Sequence, residues 1–122
     1  MEKAKTRKAL GNATEKRVMA WLKAHGYWAH LFAQSTAGQP CDIIAVKGGE
    51  AFLFDAKHCE EPRFRLSRVE PNQSTAFSYA RRFGMRCAFA CEYEGELYLI
   101  DWDGVDMGKP SIALTPERIW RE

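Results

Sequence analysis

Asp42, Asp55 and Lys57 are the residues whose types and spacing can do chemistry. They fall in two β-type runs, 41–46 and 50–57, joined by Gly48-Gly49, so the segment reads as a hairpin with a tight turn. Side chains alternate along a strand, which puts Asp55 and Lys57 on one face and Phe52, Phe54 and Ala56 on the apolar other. Asp42 shares a face with Ile44 and Val46, so a carboxylate opens an otherwise buried strand. Two carboxylates and an ammonium can thus converge at one end of a sheet. Oxygen ligands for a hard divalent cation, with an ammonium beside an attacking water or a phosphate, are what metal-assisted phosphodiester hydrolysis requires.

The elements that must position this group are legible on both sides of it. A helix is predicted over 13–25 from the stripe Val18, Trp21, Leu22 and His25, and Glu15 falls on its buried face. Asn12 and Glu15 also have the spacing of a capping box, which would explain the glutamate without any chemistry. A second helix over 71–83 carries Gln73 inward from its first turn, on the side of Phe77, Ala80 and Gly84. Further strands are predicted over 27–32, 86–93 and 96–101, with a short helix from 116. The Ser-, Thr- and Gly-rich loop 34–40 reaches the sheet end just before Asp42, as a phosphate contact or as a plain connector.

Pro40-Cys41-Asp42 followed by Asp55-Ala56-Lys57 resembles the PD-(D/E)xK nuclease superfamily, with one residue between the proline and the first acid and with aspartate as the second acid. Taken with Glu15 and Gln73, the order of features from Gly11 to about Trp102 resembles the Holliday junction resolvases of the RecU type, also called penicillin-binding-protein-related factor A. The likeness includes Phe64-Arg65-Leu66 and the strand pair 87–91 and 97–100. RecU-type proteins carry in addition an N-terminal arm and a stalk; the short connection to Asp42 here is more like that of the archaeal resolvases. The resemblance implies an α/β fold, a restriction-endonuclease-like mixed β-sheet flanked by helices. It implies that Asp42, Asp55 and the Ala56 carbonyl hold Mg²⁺, for which Mn²⁺ can substitute. It further implies that Lys57 orients the water, that Gln73 positions either of them, and that Glu15 completes the centre.

Composition bounds the rest. A chain of 122 residues with 46% hydrophobic content makes one domain, here a basic tail over 1–12 and a nuclease domain over 13–122. No apolar run approaches a membrane span and no signal-peptide core follows the lysine-rich start, which points to the cytoplasm. Cys41, Cys59, Cys87 and Cys91 have neither zinc-site spacing nor the density of a disulfide framework, and read as packing thiols. Of the histidines, only His58, next to Lys57, is placed to touch substrate.

Charge is blocked along the chain. Six bases between Lys3 and Arg17 face only Glu15, six arginines between Arg63 and Arg86 face only Glu70, and six acids between Glu92 and Asp106 face no base. Such blocks suggest one face prepared for a polyanion and another turned away, against the alternative of an ordinary solvated surface. Lys3, Lys5, Arg7, Lys8, Arg63, Arg65 and Arg68 are the candidate nucleic-acid contacts. Phe52, Phe54, Phe77, Phe89 and Trp21 sit at core periodicity, whereas an exposed pair among Trp28, Tyr79, Trp102 and Trp120 could build a subunit interface.

The leading expectation is a Mg²⁺-dependent endonuclease acting on four-way DNA junctions as a homodimer, with recombination proteins as further partners. The alternatives are another repair or restriction-type nuclease, and a catalytically silent module that binds DNA or a recombinase.

Overall fold

The computed structural model describes residues 6–33, 39 and 41–121. Its centre is a five-stranded sheet built from β1 (Trp28–Leu31), β2 (Ile43–Lys47), β3 (Glu50–His58), β5 (Arg86–Tyr93) and β6 (Glu96–Asp101), in the order β1-β2-β3-β5-β6. Only β3 and β5 run parallel, in register from Phe52↔Arg86 to His58↔Glu92. The other neighbours are antiparallel. The parallel pair needs a crossover, supplied by β4 (Arg63–Arg65), a 3-10 turn and helix α2 (Pro71–Arg81). β4 pairs with β7 (Ser111–Ala113) in a small second sheet.

Glycine fixes the hairpin that carries the acids. Lys47 pairs with Glu50 across Gly48 and Gly49, whose φ values of 58° and 79° are those of a type I′ turn. That turn's twist matches the strands it joins, and a side chain at either position would be strained. The expected strand boundaries hold to within a residue or two, and those of β5 and β6 hold outright.

Helix α1 (Arg7–Ala24) begins at Arg7 rather than near residue 13. Thr6 caps it, its hydroxyl accepting from Ala9 N at 3.1 Å. Asn12 and Glu15 are therefore interior positions, and the capping-box explanation of Glu15 is corrected. Gly11 and Asn12 are poor helix formers, and tertiary packing carries the helix through them. Arg7 and Lys8 accordingly belong to a helix rather than to a tail. The expected terminal helix is a single 3-10 turn, Pro116–Arg118.

The sheet divides two cores. On one face Ile43, Ala45, Phe52, Phe54, Ala56, Ala88 and Ala90 pack against Val18 and Leu22 of α1 and against Trp120, which stacks on Trp21 at 3.8 Å. On the other, Leu53, Cys87, Phe89 and Cys91 pack against Phe77 of α2 and against Phe64, Leu66 and Leu114. Because both faces of β3 are covered, Phe52 through Ala56 are all buried. All four cysteines are buried, unpaired and in the second core.

Candidate active site

Continuing the β2–β3 register by one residue places Asp42 opposite Asp55. Asp42 is held there by the ladder itself: its N–H donates to the Phe54 carbonyl at 3.1 Å, and its carbonyl accepts from Phe32 N at 2.8 Å. Its carboxylate Oδ2 accepts the Ala56 N–H at 2.9 Å, and Oδ1 accepts Gln39 Nε2 at 3.3 Å.

Asp55 is 1% exposed, in the middle of a strand covered on both faces. Its Oδ2 accepts from Lys57 Nζ at 2.9 Å and from Gln73 Nε2 at 2.8 Å. Its Oδ1 is buried with no hydrogen-bond partner among the described residues. Burial pushes the Asp55 carboxyl up to about 7; Lys57 opposes the rise, and the negative Asp42 beside it adds to it. Gln73 reaches Asp55 because it sits at the third position of α2. Its Oε1 accepts the Glu70 N–H at 3.2 Å, closing a capping box that fixes the side chain. Glu15, half-buried on α1, is raised by burial and then by the charge of Asp42, so the first helix also presents a carboxyl toward the acid pair.

Asp42, Asp55, Lys57 and Gln73 thus gather at one end of the sheet, and Glu15 on α1 is near enough for the charge of Asp42 to act on it. Among the described residues no three acidic, histidine or cysteine side chains form a ready-made metal cage. What the site offers is two acids and the backbone beside Ala56. The buried, unpartnered Asp55 Oδ1 and the raised Asp55 carboxyl fit a divalent cation, which would supply the missing partner and favour the ionised form.

Beside Lys57 opens a cleft of about 410 Å³, lined in part by Arg7, His58, Arg63, Arg65 and Arg68. Four of the expected nucleic-acid residues therefore share one wall system. Lys8 is exposed on α1, and Lys3 and Lys5 lie outside the described residues. So does most of the loop expected to contact a phosphate. Glu61 pairs with Arg65 at 3.0 Å and with Arg63 at 3.7 Å, and Arg68 donates to the His58 carbonyl at 2.8 Å.

The expected separation of charge blocks is not what the fold builds. Arg81 meets Asp103 at 2.6 Å, and Arg86 meets Asp101 at 3.4 Å. The β5–β6 hairpin and the turn after it fold the acidic run back onto the arginines at the far end of α2. Glu92, from the same run, binds Arg17 at 2.7 Å and Thr14 at 2.8 Å, and lies 3.6 Å from His58 Nδ1. Burial alone would raise the Glu92 carboxyl, but the hydrogen bonds from Arg17 and Thr14 outweigh it and hold it below the usual range. This tie between α1 and the end of β5 was invisible in the sequence, because its partners lie far apart in the chain and match no local pattern.

A five-stranded mixed sheet with a helix on each face and an acid pair plus lysine at one end is the architecture of a restriction-endonuclease-like nuclease. The chain belongs to the archaeal Holliday junction resolvase (Hjc) family, which it matches over residues 6–115. These are nucleases, and dependence on a divalent metal is general among them. The expected kinship with resolvases holds, and its type is the archaeal one rather than RecU. The chain is also similar in fold to a solved structure from Archaeoglobus fulgidus, Hjc, a Holliday junction resolvase from an archaeal hyperthermophile. The TM-score is 0.68 at 18% identity, with 84% of this chain and 88% of that one covered. No curated protein matches. No helix among the described residues is long and apolar enough to cross a membrane.

Proposed function

We propose that this protein cuts four-way DNA junctions by hydrolysis at Asp42, Asp55 and Lys57, with Mg²⁺ held by the two carboxylates and the Ala56 carbonyl and with Mn²⁺ able to replace it. The observation that carries this reading is the buried Oδ1 of Asp55, which has no hydrogen-bond partner among the described residues, a costly feature in a protein without a cation and a natural one beside it. When bound, the cation would supply charge neutralisation at the phosphate and would acidify a water.

The chain's own groups do the rest. Lys57, tethered to Asp55, donates a hydrogen bond to the attacking water or to a non-bridging phosphate oxygen. Gln73 holds the Asp55 carboxylate in one rotamer, so that Oδ1 stays turned into the site. Glu15 sits beside Asp42 as an outer carboxylate able to accept a proton from water. The cleft wall of Arg7, Arg63, Arg65 and Arg68 tracks the phosphates of the cut strand, and Lys3, Lys5 and Lys8 extend that track.

The enzyme acts as a homodimer, because paired cuts on strands related by two-fold symmetry need two sites in a fixed relation. It works in the cytoplasm alongside recombination proteins. Incubating wild type with a labelled immobile junction in Mg²⁺ should give symmetric nicks, and excess EDTA should abolish them. Undiminished cutting in EDTA would overturn the metal assignment.

A further inference from the structure

The four cysteines share one core but differ in chemistry. Cys41 Sγ donates to the Ile43 carbonyl at 3.5 Å and Cys87 Sγ to the Phe77 carbonyl at 3.6 Å, so both are engaged as thiols. Burial raises them further, to about 12 and about 11. Cys59 is the reverse case, because its sulfur accepts. Arg68 Nη1 donates to Cys59 Sγ at 3.7 Å as well as to the His58 carbonyl at 2.8 Å, and the Cys91 thiol donates to the same sulfur. The backbone sets up this pair. The parallel ladder places Lys57 beside Cys91, and Cys59 N continues it by donating to the Glu92 carbonyl at 2.8 Å. Cys59 also lines the basic cleft, from which a small molecule can reach it, whereas Cys91 is fully buried.

We propose that Cys59 and Cys91 form a dithiol that hydroperoxides entering the cleft oxidise to a disulfide, with Cys59 the attacking sulfur and Cys91 the resolving one. The Cys59 thiolate attacks the peroxide O–O bond, which breaks; one oxygen stays on sulfur as a sulfenic acid and the other leaves as alkoxide or hydroxide and takes up a proton. The Cys91 sulfur then attacks the Cys59 sulfur. The S–S bond forms, the S–OH bond breaks, and the departing hydroxide leaves as water with the Cys91 proton. The peroxide is reduced and the two thiols are oxidised, with one alcohol or water and one further water released.

The two roles follow from the surroundings of each sulfur. The hydrogen bond from Cys91 brings the Cys59 thiol down to about 7, against burial and with help from Arg68 and Lys57. Cys91 is raised by making that bond and by its burial, so it keeps its proton until Cys59 has reacted. The neighbouring acids are otherwise engaged, Glu61 with Arg63 and Arg65, and Glu92 with Arg17 and Thr14. Neither sulfur takes part in hydrolysis, so this chemistry stands or falls apart from it.

The test uses the full chain, reduced, freed of reductant and treated near neutral pH with a small excess of hydrogen peroxide. Thiol titration after denaturation should fall from four to two, the intact mass should drop by two hydrogen atoms, and peptide mapping should join Cys59 to Cys91. Dithiothreitol should restore all four thiols. Cys91→Ser should stop at a sulfenic acid on Cys59 that dimedone traps, while Cys41→Ser/Cys87→Ser should still form the bridge. A treated wild type without the bridge from Cys59 to Cys91, whether its thiols stay free or pair otherwise, overturns the proposal.

Discussion

Asp55 concentrates the electrostatics of the molecule. Asp55→Asn keeps the hydrogen bonds that Oδ2 accepts but lacks the charge a cation needs. It should cut junctions in Mg²⁺ more slowly by orders of magnitude while binding them as wild type does, as read by single-turnover cleavage and gel shift. The same carboxyl makes the metal-free protein sensitive to pH. Its folded pKa of about 7 stands above the ordinary 3.8 because burial disfavours the charged form. The folded state therefore binds the extra proton between those values, and Asp55 costs progressively more stability as pH rises from about 4 to 7, with no further loss above. In EDTA the melting temperature of wild type should fall across that window more steeply than that of Asp55→Asn. Mg²⁺ should flatten the difference by favouring the ionised form. Parallel profiles for the two proteins would remove Asp55 as the source.

At the scale of elements, both helices are pinned to the sheet by polar contacts, and that of α2 also serves the site. Gln73 closes the α2 capping box and holds Asp55, so Gln73→Ala should cost about 1 kcal/mol in urea unfolding from the lost cap. It should also lower the cleavage rate by a factor that this stability loss cannot explain, because the protein remains folded. A Gln73→Ala variant with unchanged turnover would reduce the residue to a cap. On the other face, Thr14 is fully buried and bridges α1 to Glu92. Thr14→Val keeps the shape but deprives the carboxylate of a donor, and should cost about 1–3 kcal/mol. Chemical denaturation measures it directly.

For the molecule as a whole, the proposed function gives the basic cleft the task of setting the affinity for a polyanion. Arg63 and Arg65 each stand to neutralise one phosphate once DNA displaces Glu61, so Arg63→Ala/Arg65→Ala should reduce the log-log salt slope of binding by about two. An unchanged slope returns the pair to a solvated surface engaged only with Glu61. Selection of junctions over duplex is a separate property, which in the proposed homodimer would depend on the spacing of its two clefts. Competition of a labelled junction with unlabelled linear duplex of equal length should favour the junction in wild type.

The residues of the site were legible because their placement is local. Alternation along two strands joined by a two-glycine turn is enough to set Asp42 opposite Asp55 with Lys57 beyond, and the first turn of a helix is enough to turn Gln73 inward. Strand boundaries followed from the same short-range pattern. The sequence left undecided whether Glu15 capped a helix or faced the site, since Asn12-to-Glu15 spacing serves both; only the cap at Thr6 and the approach to Asp42 separate them. β4 and β7, three residues each and far apart in the chain, have too little periodicity to be seen before they pair. The charge blocks misled for the same reason. A run of like charge says nothing about which turn will fold it back, and tertiary structure set Asp101 and Asp103 against the arginines and Glu92 against α1. Which of the loose aromatics stayed exposed was likewise decided by coverage: Trp120 found a partner in Trp21, while no element among the described residues covers Trp28 or Tyr79. Local spacing determines side-chain direction within an element, whereas burial, charge pairing and open surface depend on which elements pack together.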